Sequence, residues 1–380
     1  MKSILFVIPS LEVGGTISSL SSIIECYKNR YQISVFPIAY EGNLNVEFRD
    51  LLLPRRTLVH AYNCTYKNTR GGMRLMAFLF KIIKRIFRFC HYNIETKLYS
   101  SLATNFNDKY DVVVGFQEGN ATLFASFVSS PHKIAWVHCD YHNYPLSGCE
   151  IKIYSRYDDV VCVSKYTADR FKDVYPSLSK KVFHIYNLID LDRIKSRSLV
   201  EIDDPVFKTD KFTLISIGRL HSVKRFECIP QIAKQLVDSN CRFRWYILGP
   251  HFSDSIYREL IDSISDNALS EYVFYVGNKT NPYPYLAQSS LLVSLSTTEA
   301  CPMIFNEAKA LGVPILTTDF GSAFEFIDNG KNGIIVPFEK ITSTLENLIN
   351  SPAKVEALKG ANDLVDFNNV IIDSVDQLFM

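Results

Sequence analysis

Two glutamates, Glu299 and Glu307, stand with seven residues between them after an apolar run of buried-strand length at 291–296. Pro302 stands where a helix would begin, and Gly312 stands where that helix would end. The backbone N–H groups at a helix N-terminus are unpaired and carry partial positive charge, so they predict a seat for a phosphate. A ligand with hydroxyl groups on both sides of a diphosphate, such as a nucleotide sugar, would suit carboxylates placed before and after that seat. A buried helix with two solvated carboxylates is the alternative interpretation.

Two cations, Arg219 and Lys224, follow a predicted strand at 212–217 and precede a helical pattern that begins near Phe226. An arginine offers a planar fork and a lysine a point charge, so a loop that carries both can clamp a diphosphate. Breaking a sugar–phosphate bond builds negative charge on the phosphate oxygens, and positive groups fixed beside them stabilise the transition state. Two solvated surface cations are the alternative, which we consider the minority case beside the paired glutamates.

Two further candidates lie in the first half of the chain. Gly14 and Gly15 follow an apolar strand pattern at 4–8, and glycine lets a backbone come close to a ligand. His138 follows a strand pattern at 133–137, and residues just beyond strand carboxyl ends line the ligand crevice of open α/β sheets. A plain tight turn and a structural histidine are the alternative interpretations.

The pattern Glu-x-x-Pro-x-x-x-x-Glu-Ala-x-Ala-x-Gly-x-Pro, which starts at Glu299, resembles the paired-glutamate motif of glycosyltransferase family 4. Members of that family are retaining, group 1 type enzymes of the GT-B fold. The sequence Gly-Arg-Leu-x-x-x-Lys at 218–224 is similar to a second signature of the family, whereas Ala300 stands where the family usually has Gly. The resemblance is dense over 211–337 and sparse over 40–109. A run of Asn, Pro and Tyr at 281–285 resembles a subgroup that acts on bacterial surface polysaccharides.

The resemblance implies a role for each matching residue. Glu307 would hold the ribose hydroxyls of the donor, while Arg219 and Lys224 would hold its diphosphate. Glu299 would lie by the sugar hydroxyls without acting as a nucleophile, and His138 would reach the transferred sugar. Further donor contacts would come from Gly15, Gly277, Pro302, Met303 and Ile304. Because no Asp-x-Asp motif stands at a plausible donor site, we expect transfer without a metal ion or other cofactor.

Alternating strand and helix patterns predict an α/β fold, with strands at 34–39, 111–115, 160–163 and 315–317 among others. From the resemblance we expect the GT-B arrangement, two Rossmann-like doubly wound domains that face each other across a cleft. Residues 1–190 would form the acceptor-side domain and 191–361 the donor domain, with a polar linker at 190–211. A C-terminal helix at about 362–380 would pack back on the first domain.

The stretch 70–92 has a basic face and an apolar face at helical spacing. Its apolar side includes Leu75, Met76, Leu79, Ile83 and Ile86. Its candidate membrane-contact residues are Arg74, Lys81, Lys84, Arg85 and Arg88. A basic amphipathic helix can lie on an anionic bilayer, and a lipid-linked acceptor would need such contact. The alternative is a core helix with a solvated basic face.

The composition excludes several classes of function. With 41 Lys and Arg against 40 Asp and Glu, the net charge argues against nucleic acid as the main partner. Nine scattered cysteines without Cys-x-x-Cys favour a reducing compartment and predict no zinc site. The N-terminal apolar run is broken by Pro9 and reads as a strand rather than a signal peptide, and no apolar run is long enough to span a bilayer.

These patterns predict a retaining glycosyltransferase that moves a hexose or N-acetylhexosamine from a UDP-sugar to an acceptor sugar hydroxyl. By analogy the acceptor would be a lipid-linked glycan in capsule, exopolysaccharide, lipopolysaccharide or O-antigen synthesis. We expect the protein in the cytoplasm, peripheral at the inner face of the plasma membrane. Two alternatives stay open: a membrane-associated scaffold of the same fold without transferase activity, and a sugar-nucleotide epimerase.

Overall fold

The computed structural model describes residues 1–12, 14–42, 46–64, 69–86, 91–144, 148–251, 254–359 and 364–380, without the side chains of 86 and 91–95. The chain forms two compact units. The first comprises Met1–Leu188 together with Ile371–Met380, and the second comprises Ile189–Val370.

The first unit is built on a parallel sheet of six strands in the order β2-β1-β3-β4-β5-β6. Its strands are β1 Ser3–Ile8, β2 Gln32–Pro37, β3 Val112–Phe116, β4 His132–Val137, β5 Asp159–Cys162 and β6 Val182–His184. Its helices are α1 Gly15–Tyr27, α2 Thr57–Asn63, α3 Gly71–Ile86, α4 His91–Ala103, α5 Asn120–Ala125, α6 Glu150–Tyr154 and α7 Lys165–Val174. Strands buried on both faces read as continuous apolar runs, and residues 4–8 of β1 are completely buried.

The second unit has a parallel sheet of six strands in the order β12-β11-β10-β7-β8-β9. Its strands are β7 Phe212–Ile217, β8 Phe243–Leu248, β9 Val273–Gly277, β10 Leu291–Ser294, β11 Ile315–Thr318 and β12 Gly333–Val336. Its helices are α8 Leu191–Ser198, α9 Ile229–Asp238, α10 Asp254–Asp266, α11 Tyr283–Ala287, α12 Met303–Ala310, α13 Ala323–Phe326, α14 Ile341–Ile349 and α15 Pro352–Ala357. The two sheets confirm the predicted α/β class with two doubly wound domains.

A last helix, α16 Leu364–Phe379, begins in the second unit, and its residues from Ile371 onward belong to the first. The Tyr27 hydroxyl donates to the Ile372 carbonyl over 3.1 Å. Arg30 pairs with Asp376 at 2.9 Å. These contacts fix the end of the chain against α1.

Two segments differ from their sequence-based interpretation. The polar run predicted as a linker contains helix α8, because the Asp190 carboxylate accepts from the Arg193 N–H at 3.0 Å and Ile194 is buried. The basic stretch predicted as one helix contains the end of α3 and the start of α4, which are assigned as separate helices. None of the described helices is both long and apolar enough to cross a bilayer.

Candidate active site

The strand order of the second unit reverses between β7 and β10, which lie side by side. Ligands of open α/β sheets bind beyond the carboxyl ends of the strands at such a reversal. The loop after β7 carries Arg219 and Lys224, and the loop after β10 carries Glu299. Three of the four residues with the most specific predicted roles therefore meet at the place where a ligand crevice is expected.

Three contacts hold Glu299 in place. Its carboxylate pairs with the ammonium group of Lys224 and accepts a hydrogen bond from the Ser296 hydroxyl at 2.7 Å. The Ser322 hydroxyl donates to the Glu299 carbonyl over 2.7 Å. Sequence reasoning placed Ser322 as a helix cap, but its hydroxyl makes this contact instead and does not cap α13. The result is a carboxylate that is oriented before any ligand arrives.

The loop that carries Lys224 is fixed to the glutamate loop by its backbone. The Thr297 N–H donates to the Val223 carbonyl over 2.9 Å. Arg225 adopts the left-handed conformation, with φ of 52°, and its guanidinium lies 4.7 Å above the Phe338 ring. A strained residue of this kind at the end of a short 3-10 turn is typical of a ligand-binding loop. Arg219 is exposed at the end of β7.

Glycines end the strands next to this loop. The Gly249 N–H donates to the Gly277 carbonyl over 2.9 Å, and Gly277 has a φ of 76°. A Cβ at position 249 would lie 1.8 Å from the Gly218 carbonyl oxygen, so only glycine fits there. Around Gly277, in contrast, an added Cβ would meet open space. The predicted donor contact at Gly277 therefore lies at an unobstructed backbone position.

Helix α12 carries the remaining donor residues. Pro302 is its N-cap rather than its first helical residue, and the first intrahelical bond joins the Phe305 N–H to the Pro302 carbonyl at 3.0 Å. The N–H groups of Met303 and Ile304 precede that bond, as a phosphate seat at a helix N-terminus requires. Gly312 follows the helix with a φ of 68° and donates to the Lys309 carbonyl. Its left-handed conformation ends α12 where the sequence predicts.

The family's usual glycine after the first glutamate is Ala300 here. Ala300 is not one of the non-glycine residues with positive φ. Its backbone therefore lies in a region open to any residue, and the methyl group causes no backbone strain. The substitution is compatible with the loop that carries Glu299.

Glu307 lies on α12 and is buried, with 9% of its surface exposed. The Tyr283 hydroxyl donates to its carboxylate at 3.3 Å. Burial raises the pKa of Glu307 to about 7, although the Tyr283 hydrogen bond and the charge of Arg193 act in the opposite direction. Sequence reasoning missed Tyr283, which is 24 residues away in the chain and belongs to the next helix of the fold.

In the first unit, Gly15 is exposed and begins helix α1, directly after the loop that follows β1. His138 lies just beyond β4, and its ring centroid is 4.6 Å from that of Phe116. Burial lowers the pKa of His138 to about 3, so the imidazole is neutral at physiological pH. Within the described residues its Nε2 atom is buried without a hydrogen-bond partner, a vacancy that a ligand hydroxyl could fill.

Glu118 holds the backbone beside His138 and was missed from the sequence. It follows β3, and its carboxylate accepts from the His138 N–H at 2.9 Å. The preceding residue, Gln117, has a φ of 106°, so the turn that carries Glu118 is strained. Burial raises the pKa of Glu118, while its hydrogen bonds from His138 and Cys139 oppose that shift. No spacing motif marks this residue in the sequence.

The interpretation of this region as a metal site has no support among the described residues, where no group of three His, Cys, Asp or Glu side chains could hold a metal ion. Asp140, which stands near His138 in the sequence, is engaged otherwise. It accepts from the His142 N–H at 3.0 Å, and its carboxylate lies 3.6 Å from the Arg170 guanidinium. These contacts shape the loop after β4.

Helix α3 carries four of the five predicted membrane-contact residues, and the fifth, Arg88, lies outside the described residues. Arg74, Lys81 and Arg85 are exposed. Lys84 differs from the prediction, because its ammonium donates to the Tyr62 carbonyl over 2.7 Å and lies 3.8 Å from the Tyr62 ring centroid. It attaches α3 to α2 rather than facing outward.

Several large apolar side chains of α3 are exposed. Leu75 is 62% exposed, Phe78 44%, Leu79 50% and Ile82 39%. Their spacing places all four on one face of the helix. The opposite face packs inward through Ala77 and neighbouring residues. The helix is therefore apolar on two sides, one of which faces solvent.

Comparison with known proteins supports this description of the second unit. Residues 200–361 match the sequence model of the family described as glycosyl transferases group 1. An N-acetylgalactosaminyltransferase of Campylobacter jejuni, named for a diphospho-undecaprenol-linked acceptor, is 26% identical over 52% of this chain and 51% of its own. N-acetyl-alpha-D-glucosaminyl L-malate synthase of Bacillus anthracis is 25% identical over 45% of this chain and 44% of its own. The chain thus spans about half the length of these curated relatives.

A likeness to solved structures extends over the whole chain. The crystal structure of Anabaena Alr3699/HepE in complex with UDP and glucose covers 99% of this chain with a TM-score of 0.75 at 17% identity. That of Staphylococcus aureus TarM in complex with UDP and other ligands covers 100%, with a TM-score of 0.72 at 14% identity. At such identities the likeness shows the fold alone. The chain therefore has the predicted GT-B fold, and its residues 200–361 are similar to the group 1 glycosyl transferases.

Proposed function

We propose that this protein is a retaining glycosyltransferase that moves a hexose or N-acetylhexosamine from a UDP-sugar to an acceptor sugar hydroxyl. The observation that carries the proposal is the Lys224–Glu299 pair, set at the strand reversal of a unit that matches group 1 glycosyl transferases. Structures of similar fold have been solved with UDP and with UDP-glucose. The choice of UDP, and of a family 4 type of transfer, follows from these resemblances.

The proposed chemistry assigns each charge to one part of the donor. Lys224 and Arg219 bind the diphosphate and stabilise the negative charge that develops as the bond from the sugar C1 to the phosphate oxygen breaks. Glu299 accepts hydrogen bonds from the sugar hydroxyls, and Glu307 accepts them from the ribose. The acceptor oxygen bonds to C1 on the same face, and its proton passes to the departing phosphate oxygen. No protein nucleophile and no metal ion takes part in this scheme.

Release of free nucleotide from a panel of UDP-, GDP- and ADP-sugars in the presence of EDTA tests the proposal. We expect slow release from one UDP-sugar by the wild-type protein, because such sites hydrolyse donors when no acceptor is present. Lys234→Ala should behave like the wild type, since Lys234 forms an exposed ion pair with Asp238 on α9. Turnover that requires a divalent cation would contradict the metal-free scheme.

A different pattern would favour the alternatives. Binding of UDP without turnover of any donor, even with an extract of bacterial glycolipids, would favour the scaffold. A UDP-sugar converted to its epimer without nucleotide release would favour the epimerase. Absence of UDP binding would overturn the donor assignment itself.

We also propose that the acceptor is linked to a lipid and that α3 contacts an anionic membrane, which would make the protein peripheral at the inner face of the plasma membrane. The exposed apolar stripe of Leu75, Phe78, Leu79 and Ile82 supports this proposal. It stands beside exposed Arg74, Lys81 and Arg85, which complement anionic headgroups. The name of the Campylobacter jejuni relative points to a diphospho-undecaprenol acceptor, which suits a role in capsule or O-antigen synthesis.

Removing the outward charges of α3 should weaken binding to anionic vesicles. In the triple variant Arg74→Gln, Lys81→Gln and Arg85→Gln, affinity for phosphatidylglycerol vesicles should fall about 100-fold, because each basic residue near the surface contributes about 1 kcal/mol. Co-sedimentation at low and high salt measures the loss. Leu199→Ser, which changes a residue that is 86% exposed in the second unit, is the matched control. Equal sedimentation of the triple variant and the wild type would rule out this surface.

A further inference from the structure

Tyr283 and Glu307 form a buried contact that the assigned roles do not explain. Tyr283 begins α11 and is 5% exposed, and its hydroxyl donates to the Glu307 carboxylate over 3.3 Å. The Tyr283 ring belongs to an apolar cluster with Ile189, Ile194 and Leu364. A phenylalanine would fill the same place in that cluster, so the hydroxyl is the part of the side chain that the packing does not require.

The charged groups around this contact come from two elements. Helix α8 contributes Arg193, whose charge favours the ionised form of Glu307, and Arg197, whose guanidinium lies 5.8 Å from the Tyr283 ring centroid and donates to the Thr280 carbonyl at 2.9 Å. On α12 itself, Lys309 donates to the Phe326 carbonyl over 3.0 Å. The Tyr283 hydroxyl is thus the hydrogen-bond donor that the structure records on the Glu307 carboxylate.

We propose that Tyr283 is a positioning residue for the nucleotide: its hydroxyl holds the Glu307 carboxylate in the ionised form and orientation that accept the ribose hydroxyls. This inference rests on the proposed function, which gives Glu307 its ribose contact. It adds that recognition of the ribose is linked to protons. A carboxylate accepts hydrogen bonds from both ribose hydroxyls, whereas a protonated carboxyl group has one acceptor oxygen fewer.

The physical reason is the competition that burial sets up. Burial raises the pKa of Glu307 to about 7, and the Tyr283 hydrogen bond is the larger of the two effects that oppose this rise. Ribose recognition should therefore be complete above about pH 7 and decline as the pH falls through that value. Without the Tyr283 hydroxyl the carboxylate is less stable, so the decline should occur at a higher pH.

Calorimetric binding of UDP and 2′,3′-dideoxy-UDP between pH 5.5 and 9, with EDTA, tests the inference. The phosphate groups titrate in the same way in both nucleotides, so the ratio of their dissociation constants isolates the ribose contact. For the wild type the ratio should rise with pH and reach its midpoint near pH 7. In Tyr283→Phe the midpoint should move up by about one pH unit, the equivalent of one hydrogen bond to a charged group, with the wild-type ratio restored near pH 9.

Tyr285→Phe is the control, because Tyr285 lies on the same helix but its hydroxyl contacts Asp204 at 3.4 Å. It should leave the midpoint unchanged. A Tyr283→Phe protein that binds both nucleotides more weakly at every pH, with no shift in the midpoint, would show a structural role only and overturn the inference. A ratio that is flat with pH in the wild type would overturn it while leaving UDP binding intact. A wild type that binds neither nucleotide would remove the proposed function together with the inference.

Discussion

Lys224→Ala and Glu299→Gln are expected to separate nucleotide binding from transfer. Lys224→Ala should lower kcat/KM for transfer about 10³-fold, because a fixed positive charge beside the departing phosphate stabilises the transition state. Its affinity for UDP should also fall, by about 10- to 100-fold, as expected for the loss of charge-assisted hydrogen bonds. Glu299→Gln should lower transfer by about 100-fold, yet its affinity for UDP should stay within about threefold of the wild-type value or rise. Nucleotide release assays and UDP calorimetry measure the two effects.

The reason for the opposite effects on UDP lies in the ion pair. In the free protein the Lys224 ammonium is held by the Glu299 carboxylate, and both side chains are largely shielded from water. Removing the lysine leaves a carboxylate that repels the incoming diphosphate, whereas removing the carboxylate charge leaves the lysine available to it. The double variant Lys224→Ala with Glu299→Gln should therefore bind UDP more tightly than Lys224→Ala alone, a non-additive result that a double-mutant cycle quantifies.

Matched changes at Lys234 and Asp238 control for the general loss of an ion pair. That pair is exposed on α9, so neither single change nor the double change should alter UDP affinity. If Glu299→Gln lowered UDP affinity as much as Lys224→Ala, Glu299 would have to contact the nucleotide itself. The assignment of Glu299 to the sugar would then be wrong.

The sequence predicts the second sheet well because its strands are continuous apolar runs and its loops carry spaced motifs. β7 coincides with the predicted 212–217, and Gly312 ends α12 as its position after the helical pattern predicts. Buried strands of parallel sheets leave little choice of residue type, so their pattern is strong. Helix α8 was missed because most of its residues are polar and only Ile194 is buried in it.

The candidate site could be predicted only in part. Types and spacing bring out Lys224 and Glu299, but not the contacts that orient them. Ser296 is near Glu299 in the sequence, yet Ser322 reaches it only because β10 and β11 are neighbours in the sheet. Tyr283 meets Glu307 because α11 and α12 lie close together. Such contacts depend on tertiary structure, and no local pattern in the sequence encodes them.

Glu307→Gln is expected to stabilise the unliganded protein while it weakens nucleotide binding. The pKa of Glu307 is raised from 4.5 to about 7 by burial. The folded state therefore holds this proton more tightly than the unfolded state, and the free energy of unfolding decreases as the pH rises from about 4.5 to 7. A shift of this size corresponds to a loss on the order of 3 kcal/mol above pH 7, and a neutral glutamine of the same shape avoids it.

At pH 8 we therefore expect the Glu307→Gln protein to melt several degrees above the wild type, with the second unit gaining roughly 2–4 °C per kcal/mol. At pH 4.5 the two proteins should melt within about 1 °C of each other, because Glu307 is then protonated in both the folded and much of the unfolded wild type. Differential scanning calorimetry at both pH values gives the comparison. Glu339→Gln, at an exposed position of the same unit, should change neither melting temperature.

Binding should change in the opposite direction. At pH 8 the affinity of Glu307→Gln for UDP should fall about 10- to 100-fold, since an amide replaces a charged acceptor of ribose hydrogen bonds. A buried carboxylate that destabilises the fold at neutral pH is retained at a cost, and ligand recognition is the usual reason for such a cost. If Glu307→Gln neither raised the melting temperature at pH 8 nor lowered UDP affinity, burial would not be unfavourable for this carboxylate. A stabilised variant with wild-type UDP affinity would instead separate the two effects and remove Glu307 from the ribose contact.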